Sequence, residues 1–277
     1  MKTQDTILQF LIEQAHAAGA VMLQYYKKQY DIFTKADGSK VTSVDLAISK
    51  QFQAAQQKQF PEVKLFSEES HSKEAIAGKS YFIVDELDGT SYFIDGIAGF
   101  SHQAAYSDPE KGLSIGVIYF PVTDELVYAI KGEGAFIQTK GNTHVLEQPS
   151  FPPPDLLRFG HPQRYKGKKY QYLLQNIGAD PTQIVYTTAY KTLQFTRGEL
   201  EVSIYAKPFM APWDWAGDKV ILEELGFSYV YLNGKELDFL NHPIQNNPGY
   251  LICPTIYQQE LSQKIMDNHP NYHQKRN

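Results

Sequence analysis

Residues 81 to 96 read YFIVDELDGTSYFIDG. An apolar run of strand character, YFIV, stops at the carboxylates Asp85, Glu86 and Asp88, followed by Gly89, Thr90 and Ser91. Like charges this close repel, and folding gains nothing from crowding them, so something positive is expected there. Carboxylates and backbone carbonyls are the hard oxygen donors that Mg2+ selects. Two acids three apart in a tight loop can chelate neighbouring ions, and the carbonyl of Leu87 between them is a third oxygen. Gly89 lets backbone N–H groups approach an anion closely, and a short helix starting near Thr90 offers its positive end to a phosphate. A carboxylate cage beside an anion cradle is the layout for metal-assisted phosphoryl transfer to water.

The elements around this loop place further acids in equivalent positions. VKLF (63 to 66) reads as a short strand running into Glu68 and Glu69. Thr42 or Ser43 caps a helix whose inner face carries Val44, Ile48, Phe52 and Ala55, which puts Asp45 in its first turn. WDWAGDKVILEELG (213 to 226) is a helix that opens on Asp214 and closes at Gly226. In open α/β sheets, sites form outside the carboxyl ends of strands, where helix N-termini also point. Taken singly, Asp45 and Asp214 read as helix-end residues and Glu68–Glu69 as a solvated pair. The combination is what points to chemistry.

Elsewhere, apolar spacing predicts an amphipathic helix over 5–28, and DGSK (37 to 40) a turn. Residues 112 to 146 read as a β-meander with turns at PVTD, KGEG and KGNT. FPPPD (151 to 155) is the clearest break, so the expected division is 1–146, a metal-binding half, and 147–277, a half that completes the site. Beyond it, TAYKTLQFTRG (188 to 198) has helical spacing and EVSIY (201 to 205) alternates as a strand, while the tail after Asp267 is polar.

The chain of 277 residues suffices for one large α/β domain or two closely packed halves in a single unit. Net charge is −5 with Lys and Arg scattered, which excludes a nucleic-acid polymer as partner. The single cysteine, Cys253, excludes an internal disulfide framework and fits a reducing cytoplasm. The N-terminus lacks a continuous apolar core of signal-peptide type, and no run approaches the ~20 apolar residues of a membrane helix. The expectation is a cytoplasmic protein with no membrane partner.

The order of these segments resembles the inositol monophosphatase family: V-T-x-x-D at 41–45, E-E within SEES (67–70), D-x-x-D-G-T after an apolar strand, K-G-x-G-A-F at 131–136, and W-D-x-A with a downstream helix. The resemblance implies a layered α/β/α/β/α sandwich, Mg2+ dependence with two or three ions, hydrolysis of small phosphate monoesters, and a homodimer. It assigns Glu68, Asp85 and the Leu87 carbonyl to one Mg2+, and Asp85, Asp88 and Asp214 to a second, with Glu68 also serving a third ion or its water. Thr90 and Asp45 correspond to the pair that orients and deprotonates the attacking water. Backbone N–H groups of Gly89, Thr90 and Ser91 would grip the phosphate, with Asp214 on the substrate side as well.

The chain departs from the family at Glu86, which stands where proline is usual, at Tyr92 and at Asp95. It departs again at Tyr205, which replaces a glutamate that contacts ring hydroxyls in the inositol enzymes, and at Tyr186. Inositol monophosphate is therefore the default substrate, with a 3′(2′),5′-bisphosphate nucleotide or a sugar bisphosphate such as fructose 1,6-bisphosphate as rivals. From another class comes a non-catalytic protein that binds metal or a phospholigand. His102 and His161 read as structural, and Cys253 as a buried small residue.

Overall fold

Helix α1 (Gln4–Tyr25) begins where the Thr3 hydroxyl accepts from the Thr6 N–H. It ends before Lys27, whose φ of +58° no helix accommodates, so it stops short of the expected residue 28. The computed structural model describes residues 3–36, 38–70, 77–162, 173–179, 184–187, 190–205, 210–237 and 249–268, with side chains omitted at 161–162 and 184–187. Further helices include α2 (Ser43–Gln59), α3 (Thr90–Ile94), α4 (Lys191–Thr196), α5 (Ala216–Glu224) and α6 (Gln258–Asn268).

The chain divides into two units, residues 1–146 with 213–221 and residues 147–212 with 222–277. In the first, β1 (Ile32–Thr34) and β2 (Lys40–Thr42) form a small hairpin. Its main sheet runs in the order β3 (Lys64–Ser67), β4 (Tyr81–Asp88), β5 (Ser101–Asp108), β6 (Gly112–Phe120), β7 (Glu125–Ile130), β8 (Gly134–Thr139), β9 (Asn142–Leu146). Only β3 and β4 pair in parallel; the rest is the antiparallel meander the alternation predicted, extended by β5.

Alternation assigns the two faces of this sheet. Phe82 and Val84 of β4 and Ile115, Val117 and Tyr119 of β6 bury with Phe10, Leu11 and Phe52 of α1 and α2. Phe10 lies 5.1 Å from Phe82 and 5.6 Å from Phe52 between ring centroids. Burial of each such ring contributes on the order of 2–3 kcal/mol. Gly19 is required where α1 crosses β6, since a Cβ there would meet the Tyr119 ring at 2.3 Å. On average α1 is long and apolar enough to cross a bilayer, but Ile7, Phe10, Leu11, Ala15, Ala18 and Met22 bury in the core of this unit. From the opposite face Gly217 at the start of α5 meets Gly116 of β6; a Cβ on Gly116 would stand 2.5 Å from the Gly217 carbonyl.

The second unit holds β10 (Phe159–Pro162), β11 (Ile184–Thr187), β12 (Val202–Tyr205), β13 (Phe227–Tyr231) and β14 (Tyr250–Pro254). Their order is β11-β10-β12-β14-β13, with β10 parallel to β11 and β12, and β14 antiparallel to its neighbours. Its core includes Leu157, Val202, Ile204, Leu251, Cys253 and Ile265. Burial pushes the Cys253 thiol up to about 12. Both units mix strands and helices in the α/β class.

Three expectations shift in detail. β4 continues past Asp85 to Asp88, because Asp85 still pairs with Gln103 before a bulge shifts the register to Asp88 and Ser101. The helix expected at 213–226 is one 3-10 turn, Pro212–Asp214, followed by α5. The helix expected at 188–198 is described as α4, Lys191–Thr196, with Gly198 at φ +61° ending it. Residues 188 and 189 and the tail from 269 lie outside the described residues.

Candidate active site

Thr42 and Asp45 close a reciprocal cap on α2. The Thr42 hydroxyl accepts from the Val44 and Asp45 N–H groups, and the Thr42 N–H donates to Asp45 Oδ2 at 2.8 Å. The Thr42 hydroxyl also donates to Oδ2. That leaves Oδ1, which receives the Thr90 hydroxyl at 3.3 Å; Thr90 Oγ1 also lies 3.0 Å from the Leu87 carbonyl. Asp45 is 2% exposed. Burial pushes it up to about 6, the Thr42 hydrogen bonds oppose that, and Glu68 and Glu69 reinforce it.

Asp85 is buried on the opposite face of β4 from Phe82 and Val84. Burial first, and then the charges of Glu68, Asp88, Asp214 and Glu86, hold its carboxyl well above the usual range. Its Oδ1 accepts from the Leu87 N–H at 3.1 Å. The bulge turns Asp88 so that Gln103 Nε2 donates to its Oδ2 at 2.6 Å. Glu68 is carried by the end of β3, where its N–H donates to the Val84 carbonyl at 3.1 Å. Asp214 arrives with the neighbouring Trp213 ring, 5.6 Å from Phe66. Glu68, Asp88 and Asp214 are each half-buried. Thr90 thus joins Asp45 to the Leu87 carbonyl, and the charges of Glu68, Asp88 and Asp214 act on Asp85, all within the first unit.

Gly89 has φ +83°, a conformation that disfavours a side chain, and it turns the chain from β4 into α3. Its carbonyl takes the Tyr92 and Phe93 N–H groups.

Lys35 opens the stretch that carries the family resemblance, but its pairing, like the burial of Glu86, was not read from the sequence. Its Nζ lies 2.6 Å from both Glu68 Oε1 and Glu69 Oε1. Despite its partial burial, these two acids raise its pKa. The partners are 33 and 34 residues apart, and no local pattern pairs them. Glu86 is 1% exposed. Burial pushes it up to about 7, although the Ser49 and Ser67 hydroxyls lie close enough to draw it back. Among the described residues, neither of its carboxylate oxygens reaches hydrogen-bond geometry with a donor.

His102 is buried, and burial lowers it to about 4, so it is neutral and its Nδ1–H donates to the Glu86 carbonyl at 3.1 Å. That is a structural role. Tyr205 stacks on Tyr250 with centroids 6.4 Å apart in the second unit. The side chains of Tyr186 and His161 lie outside the described residues.

The donors are all hard oxygens, and their mutual repulsion on a fully buried Asp85 is the environment that a divalent cation relieves. They fit Mg2+ in kind. Among the described residues, no three acidic or imidazole side chains already converge at ligating distance, and Lys35 stands between Glu68 and Glu69.

The sequence profile of the inositol monophosphatase family matches residues 3–268. A histidinol-phosphatase of Chlorobaculum parvum is 28% identical, the alignment covering 79% of this chain and 83% of the relative. A 3′(2′),5′-bisphosphate nucleotidase CysQ of Aggregatibacter actinomycetemcomitans is 25% identical, covering 89% and 92%. A solved structure of Staphylococcus aureus inositol monophosphatase II with 2′AMP bound has a TM-score of 0.79 at 22% identity, covering 97% of this chain and 96% of that one. That likeness shows the fold.

Proposed function

Because the chain belongs to the inositol monophosphatase family, we propose that it is a Mg2+-dependent phosphatase of small phosphate monoesters. The observation that carries this reading is the placement of Thr90. Its hydroxyl sits between Asp45 Oδ1 and the Leu87 carbonyl, beside a buried Asp85 that feels four other acids.

Glu68, Asp85 and the Leu87 carbonyl would hold one Mg2+, and Asp85, Asp88 and Asp214 another, with Glu68 shared with a third. Bound there, the ions supply neutralisation of the phosphate dianion, acidification of water and support for the departing alkoxide. The chain's own groups do the rest. The cap fixes Asp45 through Oδ2, so Oδ1 is held toward Thr90. Thr90 Oγ1 accepts a proton from the attacking water as its own proton passes to Asp45. The N–H groups of Gly89, Thr90 and Ser91 orient the phosphate oxygens.

Inositol monophosphate remains the default substrate. A bisphosphate nucleotide is the second reading, supported by the CysQ relative and by tyrosine rather than glutamate at 205. Histidinol phosphate joins the panel on the name of the other relative. The resemblance also supports a homodimer, and the buried lone thiol of Cys253 suits the cytoplasm.

Phosphate release from inositol 1-phosphate, adenosine 3′,5′-bisphosphate, histidinol phosphate and fructose 1,6-bisphosphate should require Mg2+. It should drop by about 100-fold or more in Asp88→Ala while circular dichroism stays unchanged. A folded wild type that releases phosphate from none of them would favour a binding protein instead.

A further inference from the structure

We propose that Gln103 is a positioning residue of the metal centre: its side-chain amide holds the Asp88 carboxylate in the orientation that a small divalent cation demands. The proposal rests on the metal-centre reading above and goes beyond it to the choice between cations.

Gln103 lies within β5, laddered to Asp85 of β4 on one side and to Ile118 of β6 on the other. Residues directly opposite in a ladder share a face, so Gln103 stands on the face of Asp85, away from the core under α1 and α2. It is 1% exposed. A backbone fixed on both sides and a side chain closed off from water leave the amide little room to swing. Its Nε2 donates to Asp88 Oδ2 at 2.6 Å, whereas the Ser101 hydroxyl reaches that oxygen only at 3.5 Å. Asp88 itself stands beyond the bulge, where the register of β4 on β5 has shifted, so the regular ladder does not carry the direction of Asp85 on to it.

The other end of the amide is a second, independent observation. Gln103 Oε1 is buried and, among the described residues, meets no donor. A side chain kept only for packing has no use for that cost, since methionine fills a similar space with no orphaned oxygen. Turning the amide over gives no relief, because Oε1 would then face a carboxylate oxygen. The chain tolerates the orphan and keeps a charge-assisted donor on Asp88. Hydrogen bonds behind a ligating carboxylate fix its direction. Mg2+ demands near-ideal octahedral geometry, whereas Ca2+ accepts a looser oxygen shell. A loosened Asp88 therefore costs Mg2+ more than Ca2+. The rival view makes Gln103 a structural residue of the sheet, whose loss weakens both cations by the same factor.

The test titrates wild type, Gln103→Met and Gln103→Asn calorimetrically with Mg2+ alone and with Ca2+ alone, with Asp88→Asn as control. Methionine removes the donor, and asparagine keeps an amide but draws it back by one methylene. Both variants should raise the Mg2+ dissociation constant about tenfold or more, and the Ca2+ constant by less than about threefold. Asp88→Asn should weaken both cations. If Gln103→Met does not fold, Gln103→Asn decides by the same ratio. A Mg2+ constant within about twofold of wild type in a folded Gln103 variant, with Asp88→Asn impaired, overturns the positioning role and leaves the metal centre standing. Equal losses for the two cations also overturn it, in favour of the structural residue. A wild type that binds no Mg2+ removes both readings.

Discussion

At Asp45 two tasks fall on one side chain: Oδ2 closes the cap of α2 with Thr42, while Oδ1 meets Thr90. The hydroxyl of Thr90 is the only part of that residue the proposed proton path uses. Thr90→Ala should therefore lower kcat by about 100-fold or more, while Thr90→Ser retains activity within about tenfold, with little change in melting for either. Loss of activity in both would mean that the methyl, and not the hydroxyl, matters. Most of these residues were legible in the sequence because their signals are local: a cap three residues from its partner, and three acids in one loop. The pairing of Lys35 and the burial of Glu86 were not legible, since each depends on residues brought together from distant stretches. No periodicity records such a meeting.

At the scale of elements, the position of Asp214 depends on how closely α5 approaches the sheet. Gly116 and Gly217 permit that approach, with no room for a Cβ on Gly116 against the Gly217 carbonyl. Gly116→Ala should cost about 1–3 kcal/mol by denaturant unfolding and weaken Mg2+ binding, because the backbone that carries Asp214 must move. The same substitution at the exposed turn glycine Gly132 meets a positive φ instead, but nothing lies within 4 Å, so Mg2+ binding should be unaffected. The meander from β6 to β9 was readable because each strand alternates between sharp turns. β5 was not: SHQAAYSD has weak strand propensity, and it is a strand because β4 and β6 pair with it on both sides. The start of α5 was misread because its helical pattern runs back through a 3-10 turn at Pro212–Asp214.

For the molecule as a whole, the acids of this centre set a pH dependence. Asp45 and Glu86 have ordinary values of 3.8 and 4.5 but stand at about 6 and about 7 in the fold, and Asp85 is raised as well. Between the unfolded and folded values the folded chain binds more protons, so its stability falls as pH rises from about 4 to about 7. In EDTA the protein should melt at higher temperature near pH 5 than near pH 8, and Mg2+ should restore most of the difference at pH 8. A melting temperature that rises over that interval in EDTA would contradict the burial of unrelieved charge.

Asp214 is grouped with residues 1–146, although the excursion 147–212 separates it from them along the chain. On a ribosome, then, four of the five acids emerge in one continuous stretch and the fifth follows only after that excursion. A nascent chain halted at Leu146 holds the main sheet of this unit but lacks Asp214, so the proposed set of acids is completed only late in translation.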